Sequence, residues 1–147
     1  MFRKISLFLL RIGMGVLFFW AGYTKLITPN WSAAGYISGS KVFTGFYSWL
    51  LSPNLLPTIN FLNEWGLTLI GVALLFGIFV RLASFFGLTL MILYYLPIYP
   101  PAHGLVDEHI IYASVFLVFM AFGAGQILTL NSWIQTRLHP AWHKWVG

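Results

Sequence analysis

FLNEWGLTLIGVALLFGIFV-R-LASFFGLTLMILYYLPI, running from Phe61 to Ile98, decides the architecture. Two apolar runs, Phe61 to Val80 and Leu82 to Ile98, are separated only by Arg81. Each is close to the roughly 20 residues that cross the hydrocarbon of a bilayer. Backbone in lipid must satisfy its own hydrogen bonds, so both runs are expected as helices. With Arg81 alone between them, they are expected to form a tight antiparallel hairpin.

Outward from the hairpin, Ile5 to Leu26 and His109 to Leu130 are two further runs of the same kind. Thr28-Pro29-Asn30 ends the first, Pro57 precedes the second, and Pro97, Pro100, Pro101 and Gly104 close the third. Proline and glycine break helices at such points. The mixed stretch from Trp31 to Asn60 holds an aromatic segment, Lys41 to Leu51, that is too short to span and reads as an interfacial helix. The tail from Trp133 to Trp145 has a headgroup-region composition. The expected fold is all-α: a single membrane domain, residues 1–147, built as a four-helix bundle. Its helices fall at about 5–26, 61–80, 82–98 and 109–130, with short interfacial helices in the first outer loop and the tail.

Composition agrees. The chain is 59% hydrophobic and 7% charged, against about 25% charged residues in soluble domains. The net charge of +5 comes from scattered residues, which argues against nucleic acid. A positive-inside topology accounts for it. Arg3, Lys4, Arg81, Arg137 and Lys144 fall on one side, with Arg11 about two turns into the first helix, and Lys25 and Lys41 on the other. Both termini are therefore expected in the cytoplasm and the chain in the plasma membrane. The start, Met1-Phe2-Arg3-Lys4 before an apolar run, resembles a signal peptide. The lack of a small-residue cleavage site and the charge of Arg11 favour a retained first helix. No cysteine is present, so thiol redox and thiolate metal chemistry are excluded.

This topology gathers the polar chemistry at the outer end. Lys25 ends helix one, Glu64 starts helix two, Tyr94 and Tyr95 approach the end of helix three, and Asp107, Glu108 and His109 open helix four. Arg11, Gly15, Phe18, Gly22 and Lys25 recur at i, i+4, i+7, i+11 and i+14, one helix face. Glu64, Thr68 and Gly71 share a face, as do Ser84, Gly87, Met91 and Tyr94, and Glu108, Tyr112, Val115 and Phe119. Charges in a membrane are costly and commonly functional, and a Lys25–Glu64 pair would offset the cost. The plainer alternative is interfacial: Lys25 snorkels, and Asp107 and Glu108 cap helix four. Arg11 is read as a lipid-phosphate contact or an anchor for a neighbouring helix, and Arg81 as structural. Metal ligation by His103, Asp107 and His109, or by His139 and His143, is the weaker reading, and no metal is assigned.

These residues carry a resemblance. Arg11-Ile12-Gly13-Met14-Gly15 through Ala21-Gly22-Tyr23-Thr24-Lys25-Leu26 resembles the first helix of the DoxX/DoxD family. Glu64-Trp65-Gly66 through Arg81-Leu82-Ala83 resembles its second, glutamate-led motif. Asp107-Glu108-His109 with Gly123-Ala124-Gly125 resembles its fourth helix, and the segment from Pro29-Asn30-Trp31 is similar to the DoxD branch. The resemblance implies a small membrane subunit of a thiosulfate:quinone oxidoreductase. Its family-like polar positions here are Arg11, Lys25, Glu64, Arg81 and His109.

The expected site binds quinone. Glu64 and His109 are the catalytic, proton-exchanging candidates. Lys25, Tyr94, Glu108 and Tyr112 are the quinone-binding candidates. Without cysteine or a cofactor-attachment motif, thiosulfate oxidation calls for a partner, a second membrane or extracytoplasmic subunit. The alternative is a non-catalytic membrane scaffold for redox or envelope proteins. A carrier built from four short helices would need a homo-oligomer, and no paired broken helices of the transporter kind are visible.

Overall fold

The computed structural model describes residues 2–102 and 104–124, which form six helices and no strand. They are α1 (Phe2–Ile27), α2 (Ala34–Ser38), α3 (Thr44–Leu50), α4 (Leu56–Phe76), α5 (Val80–Ile98) and α6 (Glu108–Phe122). The long helices α1, α4, α5 and α6 run up and down in a bundle. Helices α2 and α3 fold over one end of it.

Three helices, α1, α4 and α5, are long and apolar enough to cross a membrane. Helix α6 is apolar but shorter, at 15 residues, about 22 Å at 1.5 Å per residue. The expected continuation of this run to Leu130, and the expected tail helix, lie outside the described residues. Large apolar side chains such as Trp20, Leu69, Phe85, Phe86, Ile92 and Leu117 point outward from the bundle. Such a surface is suited to lipid and not to water.

The hairpin turn differs from the expected one. It consists of Gly77-Ile78-Phe79, and Arg81 lies in the first turn of α5. Gly77 adopts the left-handed conformation (φ 68°). Its N–H donates to the Leu74 carbonyl (3.3 Å), and the Ile78 N–H to that of Ala73 (3.0 Å). This pairing closes the last turn of a helix around a glycine. Hydropathy conceals the turn because Ile78 and Phe79 are apolar. Helix α4 also starts earlier than expected: Pro57 sits inside its first turn, where a missing N–H costs nothing. The expected interfacial helix is present as α3, and α2 precedes it unforeseen.

Small residues set the spacing of the bundle. A Cβ on Gly22 would collide with Thr68, and one on Gly71 with the backbone of Phe19, so α1 and α4 pack almost backbone to backbone. Gly87 of α5 leaves a recess filled by the Phe116 ring of α6. Around these contacts Met14, Phe18, Leu67, Leu74, Val80, Phe116 and Phe119 form the core. The buried stripe of α6 is Ala113, Phe116 and Phe119. It is turned from the expected Glu108–Tyr112–Val115–Phe119 face because Gly87 gives Phe116 the place nearest the axis.

Helices α1 and α6 stand apart. The Phe18 ring bridges them, edge-on to Tyr112 and Phe116 at 6.3 and 5.0 Å. At the far end Arg11 closes the gap. Its side chain is fully buried, and Nη1 donates to the Ala124 carbonyl at 2.9 Å, just past the end of α6. Of the two readings of Arg11, this contact supports the anchor for a neighbouring helix. The guanidinium turns inward because a helix end presents free carbonyls and partial negative charge.

Candidate functional site

The opposite end of the bundle holds the polar cluster. Helix α6 begins there at Asp107, whose Oδ1 accepts from the backbone N–H groups of His109 (3.1 Å) and Ile110 (3.2 Å). This is the capping role of the plainer sequence reading. Its other oxygen, Oδ2, lies 2.6 Å from His109 Nδ1. One carboxylate thus starts the helix and holds the imidazole. Burial on its own pushes the Asp107 carboxyl up. The hydrogen bonds from the His109 side chain and the two backbone N–H groups, with the histidine's charge, outweigh it and hold the group below its ordinary value.

Helix α5 adds Tyr94. Its ring meets the His109 ring edge-on at 5.9 Å, and its hydroxyl bonds to the Asn63 side chain of α4. Helix α1 adds Lys25 from its last turn. Nζ donates to the Ala21 carbonyl (3.1 Å) and lies 5.3 Å from the centre of the Trp31 ring. No ion pair joins Lys25 to Glu64 among the described residues. Glu64 lies half-buried on α4, one residue from Asn63 and so about 100° around the helix. Its carbonyl accepts from the Thr68 hydroxyl at 2.7 Å.

Two cavities meet at this cluster. The first, about 620 Å³, is a groove between α1 and α6. Apolar side chains line most of it, among them Val16, Leu17, Phe18, Leu67 and Met91, and Lys25, Tyr94, Glu108, His109 and Tyr112 close its polar end. The second, about 450 Å³, lies under α2 and α3. Lys25, Tyr94 and His109 border both.

The structure therefore brings together five of the expected site residues: Lys25, Tyr94, Glu108, His109 and Tyr112. Glu64 lines neither cavity, and Arg11 and Arg81 lie at the other end of the bundle. Among the described residues no three potential metal ligands cluster. His103, His139 and His143 lie outside them.

Sequence reasoning missed Asn63, Tyr36, Tyr47 and the bond between Asp107 and His109. Pro97 was the available signal for the two tyrosines. It has no N–H, so the Leu93 carbonyl four residues earlier loses its helical donor. The Tyr47 hydroxyl donates to that carbonyl (2.9 Å), the Tyr36 hydroxyl to the next one, of Tyr94 (2.6 Å), and the Lys41 N–H to that of Pro97 (3.1 Å). These bonds fasten the roof. Burial first, then the charge of Asp107, then Tyr47 and Glu108 push the Tyr36 phenol up to about 12, so it remains a donor at neutral pH.

A family model described as DoxX matches residues 6–99, from within the first turns of α1 to the end of α5. No curated protein and no solved structure matches the chain.

Proposed function

The chain belongs to the DoxX family, and from that premise we propose that it is the membrane subunit of a quinone-linked oxidoreductase of the thiosulfate:quinone type. The observation that carries this reading is the shared border: Lys25, Tyr94 and His109, from three helices, stand where a lipid-facing apolar groove ends. A membrane-borne ring with an apolar tail suits such a space. Pockets for ligands of that kind are mostly apolar with a few placed polar groups.

The donor set fits a quinone. Lys25 Nζ gives a hydrogen bond to one ring oxygen. His109 holds or gives up the proton of the other through Nε2, the nitrogen not engaged by Asp107. Asp107 is a positioning residue: by accepting from Nδ1 it fixes the tautomer. Reduction of a quinone to a quinol consumes two electrons and two protons. The electrons come from a partner subunit, and the protons pass through His109, with Glu108 at the rim. Glu64 touches neither cavity, so this mechanism gives it no contact with the ligand. The charge distribution supports an orientation with the Lys25 end outside the plasma membrane and both termini in the cytoplasm.

The test is quinone binding to the purified protein, followed by quenching of tryptophan fluorescence; Trp20 and Trp31 line the cavities. Lys25→Ala and His109→Gln should each weaken binding about tenfold, and Glu64→Gln should not. Absence of binding, or indifference to both changes, overturns the reading.

One observation favours a second reading, a scaffold. Phe43, Phe46 and Trp49 are exposed together on and beside α3, on the outside of the roof. A stable protein partner recovered by crosslinking in native membranes, with no quinone bound, would support it.

A further inference from the structure

The chamber under α2 and α3 is not explained by the groove. It has its own small core, with Ala33, Ile37 and Tyr47 buried apart from the main bundle. Its roof is tied to α5 by the three hydrogen bonds around Pro97, and to α4 by the Ala33 N–H on Asn60 Oδ1 (2.9 Å). A segment held at so many points is a built wall. The volume it encloses, about 450 Å³, falls in the range of ordinary ligand pockets.

The chemistry of the walls selects the occupant. Trp31, Tyr36, Tyr47 and Tyr94 provide flat faces and edges, which suit a planar ring better than a chain. Lys25 and His109 provide polar atoms on the side shared with the groove, and Asn63 adds its amide within the chamber. An alkyl chain lodged here would leave the remaining N–H donors of Lys25 and Nε2 of His109 facing hydrocarbon, at the cost of unpaired buried polar groups. Lys25 is met only by a backbone carbonyl and the Trp31 face among the described residues, so its remaining N–H donors suit a ligand oxygen.

We infer that this chamber is the seat of the ligand's planar head: the ring lies beneath α2 and α3 with an oxygen on Lys25, and the apolar tail remains in the groove between α1 and α6. The inference rests on the quinone reading and adds the direction of the ligand. It makes the α2–α3 roof part of the binding site, and it makes Lys25, Tyr94 and His109 the collar between head and tail.

The experiment uses two photoreactive benzoquinones with a short isoprenoid tail, one with the azide on the ring and one with it at the tail tip. The purified full chain in lipid nanodiscs is irradiated with each, and the labelled residues are mapped by mass spectrometry. The ring probe should label between Trp31 and Leu50, and the tail probe between Gly13 and Trp20. Leu50→Trp, which adds volume to the chamber wall, should weaken binding at least tenfold with helix content unchanged. Binding with the ring label confined to Gly13–Trp20 or Tyr112 would overturn the chamber and leave the quinone reading standing. No specific labelling by either probe would overturn both.

Discussion

The Tyr47 hydroxyl donates to the Leu93 carbonyl at 2.9 Å, and Leu93 is the residue whose helical partner Pro97 removes. A residue of the outer segment thus repairs a defect in a membrane helix. Irregular backbone at membrane depth is tolerated where other groups satisfy it. Tyr47 is almost fully buried, so water cannot take over the bond.

Tyr47→Phe should therefore loosen the roof by about 1 kcal/mol. Hydrogen exchange should quicken across residues 31–51 while total helicity holds. Pro97→Ala restores an N–H for Leu93, so in that background Tyr47→Phe should cost clearly less. Equal costs in both backgrounds would remove the proposed link between proline and tyrosine.

Gly71→Ala should destabilise the bundle by about 1–3 kcal/mol, the range for overpacking, because its Cβ would occupy the Phe19 backbone. Gly66→Ala lies on the same helix, and its Cβ meets only Leu90 at 3.9 Å. It should be neutral or slightly stabilising, since alanine is the better helix former. Thermal unfolding in detergent compares the two.

Asp107 separates two roles. Asp107→Asn keeps a capping oxygen and loses the charge that holds His109, so helix stability should change little while quinone affinity falls. Asp107→Ala loses both, with about 1 kcal/mol of cap stability. An affinity unchanged in the asparagine variant would dismiss Asp107 as a positioning residue.

The same carboxyl gives a pH dependence. Its folded value lies below the ordinary 3.8, so its contribution is fully present above the unfolded value and is lost as pH falls through the folded one. Unfolding midpoints should be level through neutral pH as far as this group is concerned. Below the ordinary carboxylate range they should fall more in the native chain than in Asp107→Asn. Parallel curves for the two chains would refute this.

The polar cluster was largely legible because a helix's ends follow from its breaks. Once Pro29, Pro57, Pro97 and Gly104 were assigned to ends, Lys25, Tyr94 and His109 had to share one side of the bundle. That Glu64 lines neither cavity while Asn63 lines the second is not legible in the sequence, for the complementary reason. Neighbours on a helix are about 100° apart, and a charge draws attention that the adjacent, buried Asn63 does not. Arg11 was placed on the right face, yet the Ala124 carbonyl it binds lies 113 residues away in sequence.

By itself the sequence determined that the chain forms apolar helices, how they alternate, and which end carries the acids with Lys25 and His109. Hydropathy and helix breaks are local, and lipid leaves the backbone little alternative. Only the tertiary structure decided the gap between α1 and α6, the roof over the second chamber, and that Asn63 and not the adjacent Glu64 lines that chamber. Those depend on rotations of about one residue around each helix axis and on contacts between distant segments, where glycines fix how closely two backbones approach.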